Sequence, residues 1–113
     1  MAWTSRPAQT ITMTAAAALT KSRFVTATGA VPAAGAAVLG VTESDAPAGG
    51  LVPVITLGTA LVTAGAAITA GQALETDAAG QAVPAATGTK VAVALTDAAA
   101  GELVEAFLTP VAG

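Results

Sequence analysis

The chain has 113 residues, 54% of them hydrophobic but only 3% aromatic; it lacks Cys, His and Tyr, and its four basic and seven acidic residues leave a net charge of −3. Four cations cannot neutralise a run of phosphates, which argues against a nucleic-acid partner, and without imidazole, thiol or phenol groups the usual general bases, thiol nucleophiles and imidazole metal ligands are missing. A chain this short buries only about two thirds of its unfolded surface, and a core made mostly of Ala and Val gains less per residue than one of Leu or Phe, so a single small domain of modest stability is expected, with association as a remedy.

The first ten residues, "MAWTSRPAQT", have no cationic stretch leading into an apolar one, so they do not resemble a secretion signal. Residues 1–9 are expected to be an N-terminal arm. The arm holds the only Trp of the chain, and Trp3, Thr4, Ser5, Arg6 and Pro7 form a candidate contact segment. Trp3 would fill an apolar pocket on a partner while Arg6 meets an acid and the backbone pairs with an exposed strand. A frayed terminus, or a Trp that covers its own domain, are the alternatives.

From Thr10 the alternation of "TITMT" predicts a half-buried strand. "AAAAL" at Ala15–Leu19 favours helix by composition, but it is too short to hold one by itself. One helical turn is allowed there and one near Asp97–Gly101. A turn is expected near Gly29, and Pro32, which has no N–H to donate, belongs at a strand edge or strand start. "AAVLGV" and "LVPVITL" predict the next strands, joined by the loop "DAPAGG". The same order then recurs: "TALVT", a connector ending in "ITAGQAL", a turn near Gly80, Pro84, "KVAVAL", a loop and "LVEAFL". No residue from Ala46 to Leu74 is charged, a stretch longer than the roughly 20 residues of a membrane-spanning helix. Its Pro53, Gly58, Gly65 and Gly71, set among Thr and Val, predict two strands with turns instead, and no membrane partner.

The recurrence has a fixed register. "DAPAGGLV" at residues 45–52 returns as "DAAAGELV" at 97–104, an offset of 97 − 45 = 52, and "VPAA" returns with 83 − 31 = 52. Residues 31–52 and 83–104 are identical at 11 of 22 positions without a gap. Upstream, "TAAAALTKSRFV" aligns with "TAGAAITAGQAL" at 63 − 14 = 49, so a three-residue insertion in the second copy reconciles the two offsets. The expected organisation is an arm, then one β domain over 10–113 made of tandem copies at about 10–58 and 59–113. Neither copy is large enough for its own core, so the two should close on each other as a pseudo-symmetric all-β barrel or sandwich.

Within that frame Asp45 and Asp97 read as turn residues accepting hydrogen bonds from amides a residue or two ahead, with Gly49 and Gly101 supplying positive φ. The carboxylate pairs Glu43/Asp45, Glu75/Asp77 and Glu102/Glu105 invite a weak cation site or a glycosidase-like pair, yet acids near turns are ordinarily solvated. No Ser or Thr has a base to activate it, and no glycine-rich loop leads into a helix. Neither catalysis nor a metal, cofactor or small-molecule substrate is expected.

The order "LTKSRFVTATGAVPAAGAAVLGVTESDAPAGGLVPVITLGTALV", followed by "ITAGQAL", "GQAVPAA" and "VAVALTDAAAGELVEAFL", resembles the small capsid cement or head decoration proteins of tailed phages, over about Thr10 to Leu108. The first copy departs from the family pattern by carrying Ser22 where the second keeps a glycine, Gly71. The resemblance implies a β-rich protein with the major capsid protein as partner, made in the host cytoplasm and bound to the outer surface of the icosahedral head. It would sit there as a homo-oligomer, often a trimer, over junctions between capsid subunits and clamp them against internal DNA pressure. A virion-surface adhesion or carbohydrate-binding module is the alternative, though aromatic platforms for stacking sugars are nearly absent.

Overall fold

The structure, a computed structural model, describes residues 6–108. Eight strands carry the chain: β1 (Arg6–Thr14), β2 (Phe24–Val25), β3 (Gly40–Thr42), β4 (Leu51–Thr63), β5 (Ala73–Thr76), β6 (Ala82–Pro84), β7 (Ala92–Ala94) and β8 (Leu103–Leu108). Seven of them run in the order β2-β3-β4-β8-β7-β5-β6 and nearly close an antiparallel barrel, while β1 pairs with β4 off that path. The gap between the two ends is spanned by single hydrogen bonds: Phe24 N–H donates to Gly80 O at 2.7 Å, and Gly35 N–H to Thr76 O at 2.8 Å. The all-β expectation holds.

The alanine runs form no helix among the described residues. Ala15 N–H donates to Gly50 O at 2.8 Å, and Leu19 exchanges 2.8 and 3.0 Å hydrogen bonds with Ala46. Ile68 and Ala98 make the same exchange, again at 2.8 and 3.0 Å. Backbone groups committed to a partner across a loop cannot also close i→i+4 rings, and alanine's propensity is too weak a term to compete. Proline behaves as its chemistry requires at one site: Pro84 ends β6 at the extremity of the sheet. Pro32 sits in the loop between β2 and β3 rather than in a strand.

Two expected strands, "LVPVITL" and "TALVT", are one. β4 continues for 13 residues through the junction between the copies. Gly58 permits this by adopting φ of 100°, a conformation open to glycine without steric penalty. Register also shifts here, because β1 and β4 slip between Pro7 and Gln9 and again between Gln9 and Thr10. A one-residue irregularity exchanges the two faces of a strand. Before it, Val52 and Val54 point into a small cluster with Ala15, Leu19, Val25 and Ala46. Ile55, on the opposite face, and Ala60 and Val62, past the irregularity, join the larger cluster, which includes Phe24, Val41, Leu74, Val104 and Ala106. The first half of β4 thus buries Val52 and Val54 on one face and Ile55 on the other.

Pairing repeats along the chain with the offsets seen in the sequence. Val41↔Ile55 and Thr42↔Val54 in β3–β4 correspond to Val93↔Phe107 and Ala94↔Ala106 in β7–β8, 52 residues on. Thr14↔Leu51 in β1–β4 corresponds to Thr63↔Leu103 in β4–β8, at 49 and 52. β4 therefore ends the first set of pairings and begins the second.

Gly58→Ala places a Cβ on a left-handed backbone and is expected to lower unfolding stability by about 1–2 kcal/mol. Urea denaturation followed by circular dichroism checks this, and an unchanged midpoint would show that β4 does not depend on that conformation.

Candidate functional site

The loops at 45–49 and 97–101 carry a sequence motif that recurs closely along the chain. Asp45 Oδ1 accepts from Lys21 N–H at 2.7 Å, and Asp97 Oδ1 accepts from Ala70 N–H at 2.8 Å. The donors lie 24 and 27 residues earlier in the chain, not one or two ahead. Each aspartate therefore ties its loop to the tip of the preceding connector. Gly49 and Gly101 take φ of 83° and 88°, as expected, and their N–H groups donate to Ala15 O and Ala64 O, both at 2.7 Å. Loop and connector are thereby cross-tied at both ends.

At the connector tip the two copies differ. Gly71 has φ of 92°, and Ser22, the residue in its place, has φ of 61°, the one positive-φ non-glycine among the described residues. Ser22 is held there by backbone bonds on both sides: its N–H donates to Thr42 O at 3.0 Å, and its carbonyl accepts from Thr63 N–H at 2.8 Å. The left-handed conformation costs a side-chain-bearing residue about 1–2 kcal/mol, which the surrounding hydrogen bonds offset.

Three other acidic groups are engaged by backbone amides. Asp77 Oδ1 accepts from Ala79 N–H at 2.9 Å and from Gln81 N–H at 2.8 Å, and Glu102 Oε1 accepts from Ala99 N–H at 2.8 Å. Glu75 is buried, and its Oε1 accepts from Ala86 N–H. A Cβ on Gly88 would run into the Glu75 carboxylate and the Gly35 Cα, so only glycine fits that crossing of two loops. Sequence reasoning did not find Glu75 as a buried structural acid; the available signal was a charge inside the otherwise apolar strand "ALET". Among the described residues no group of three or more acidic side chains is placed to hold a metal ion. A groove of about 250 Å³, lined by residues that include Lys21, Glu43, Ile55 and Leu103, is smaller than the roughly 300–1,000 Å³ of ordinary ligand pockets. No helix among the described residues is long and apolar enough to cross a membrane.

Of the arm, Trp3, Thr4 and Ser5 lie outside the described residues. Arg6 and Pro7 belong to β1, opposite Thr59 and Gly58, so the strand starts inside the segment assigned to the arm. Among the described residues β1 pairs with β4 alone. From Gln9 to Thr14 it exposes every residue except the half-buried Met13, and it carries no charge between Pro7 and Thr14. Such an edge is a template for further strand pairing. The barrel also exposes large apolar side chains, with Leu51 at 71% and Phe107 at 50%.

These features define a class: a small, nearly closed β domain in which five carboxylates are engaged by its own backbone amides, with exposed apolar side chains and one long strand edge on its surface. A family model of phage cement proteins matches residues 4–108, and the chain belongs to that family of phage structural proteins. Among solved structures, the head fiber gp8.5 N base of bacteriophage phi29 is similar, with a TM-score of 0.75 and 25% identity over 89% of this chain and 93% of that one. No curated protein matches the chain by sequence.

Asp45→Ala and Asp97→Ala are each expected to cost up to about 1 kcal/mol, the worth of one exposed side-chain hydrogen bond. Asp45→Asn keeps an acceptor oxygen and should stay near wild type; equal losses in the Ala and Asn variants would contradict the assigned bond. Ser22→Gly should raise the melting temperature slightly, since relief of the left-handed strain outweighs the roughly 0.5–1 kcal/mol entropic cost of glycine. A lowered melting temperature would show that the Ser22 side chain stabilises the turn.

Proposed function

We propose that this protein is a non-enzymatic capsid decoration protein that binds the outside of the icosahedral head over junctions between major capsid subunits and braces them. The family match over residues 4–108 carries this reading, and the likeness to a head fiber base supports it. The chemistry agrees. A brace needs no reacting group, and here Asp45, Asp77, Asp97, Glu75 and Glu102 each accept from a backbone amide. It does need repeated modest contacts, which a lattice of identical sites turns into strong attachment.

Two surfaces serve as candidates for the capsid contact: residues 1–5 with Arg6 and Pro7, and the exposed turns of the Asp45–Gly49 and Asp97–Gly101 loops. The protein acts as a homo-oligomer, with a trimer as the favoured state, because a barrel with a core of Ala and Val has apolar surface left to bury. The carbohydrate-binding alternative gains nothing from the structure: of the two phenylalanines, Phe24 is fully buried and only Phe107 is exposed.

The test is co-sedimentation with expanded heads of the parent phage that lack the protein, counting bound copies per major capsid subunit. Saturation at a fixed simple ratio is expected; absence of binding would overturn the reading. A chain lacking residues 1–5, which leaves β1 its described length, should bind more weakly while keeping its circular dichroism spectrum. Unchanged binding would remove the arm from the contact.

A further inference from the structure

The two halves of the chain form equivalent rows of paired residues, yet one row is covered and the other is bare. In the first half, Phe24 pairs with Val41 and Val41 with Ile55. These three side chains are 1%, 0% and 1% exposed and belong to the larger core. At the matching offsets of 49, 52 and 52, Ala73 pairs with Val93 and Val93 with Phe107. Here Phe107 is 50% exposed, and Ala73 and Val93 are only half-buried. Both rows hold one Phe, a central Val and one smaller apolar residue, so similar bulk meets core in one half and solvent in the other.

The receiving side shows the reverse asymmetry. The first row is covered by the second half, whose Ala60 and Val62 on β4 are 0% exposed and share its cluster. Two backbone bonds seal that junction: Thr63 N–H to Ser22 O at 2.8 Å and Phe24 N–H to Gly80 O at 2.7 Å. Forty-nine residues before Ala60, Val62 and Thr63 stand Ile11, Met13 and Thr14 on β1. Ile11 is 38% exposed, Met13 is half-buried, and among the described residues the outer edge of β1 has no strand beside it. Among the described residues the molecule thus presents an uncovered projecting row and a receiving edge with no strand beside it, and its own interior shows how the two kinds of surface fit.

We propose that a second copy of this chain fills that edge: the Ala73–Val93–Phe107 row of one molecule docks on the Ile11–Met13 side of β1 in the next, repeating between chains the contact that joins the two halves within one. Because row and edge are different surfaces, the interface is head-to-tail, and it closes into a ring when the rotation between successive copies allows. The occupant follows from the internal contact, which pairs this type of row with this type of edge. The inference deepens the oligomer part of the proposed function and rests on the matching of the two halves rather than on capsid binding.

Sedimentation velocity on the purified protein tests it. The wild-type chain should sediment as a closed species larger than a dimer, while Phe107→Glu and Ile11→Glu should each sediment as monomers with wild-type circular dichroism. Mixed one to one, the two variants retain one good row and one good edge between them, so they should form a heterodimer and nothing larger. A second test avoids charge on the edge strand. The chain has no native cysteine, so Ile11→Cys combined with Phe107→Cys should give a ladder of covalent multimers with a flexible bismaleimide, whereas neither single variant should. A monomeric wild type, a mixture that stays monomeric, or cross-linking through Phe107→Cys alone would each overturn the proposal. A monomer that still binds heads would make the capsid protein the occupant of these surfaces, and an oligomer that binds no heads would overturn the cement reading while leaving this one standing.

Discussion

The rest of the structure depends on the passage of β4 through Gly58. A strand that kept strict alternation over 13 residues would present one face to one core. The irregularity at Gly58 turns Ala60 and Val62 onto the larger cluster that Ile55 already faces, where strict alternation would keep them on the side of Val52 and Val54 and the small cluster. It is also the strand on which both sets of pairings hang, since β1 and β3 join its first half and β8 joins its second. The two sets of pairings are in this way joined in one molecule. Small side chains make the arrangement workable: a Cβ on Gly40 would collide with the Ile55 carbonyl, so β3 can approach β4 only as glycine there.

Small side chains also limit what burial can contribute, and polar ties between distant segments compensate. Asp45 and Asp97 hold the connector tips, Asp77 holds its own turn, and the buried Glu75 carboxylate holds Ala86 where the Gly35 and Gly88 loops cross. A charge buried against a backbone amide is costly to leave unpaired, which fixes the geometry as much as it adds stability. A scaffold tied in this way keeps its outer surfaces in place without a large core. That property suits a protein whose proposed work is to resist deformation of a shell.

Much of this was legible in the sequence, and the reason differs from feature to feature. The loops at Asp45–Gly49 and Asp97–Gly101 could be placed because Asp and Gly report local backbone needs, and the left-handed glycines lie where expected. The partner of Asp45 could not be found, since the amide of Lys21 comes near only after folding. Gly58 reads as a breaker between strands because glycine marks both turns and bulges, and sequence does not separate the two. β1 begins at Arg6, inside the segment read as an arm, and Pro7, which has no N–H to donate, is tolerated there because it lies near a strand start. "SRFV" and "EAFL" place their phenylalanines in similar patterns, and only the tertiary arrangement buries Phe24 and exposes Phe107.

The measurement that reaches the central claim most directly is the release of DNA from packaged heads on heating, with and without bound protein, followed by a dye that reports free DNA. A brace over capsid junctions raises the release temperature in proportion to occupancy, up to saturation. Release at the same temperature for bare and fully occupied heads would show that the protein rides on the shell without holding it together.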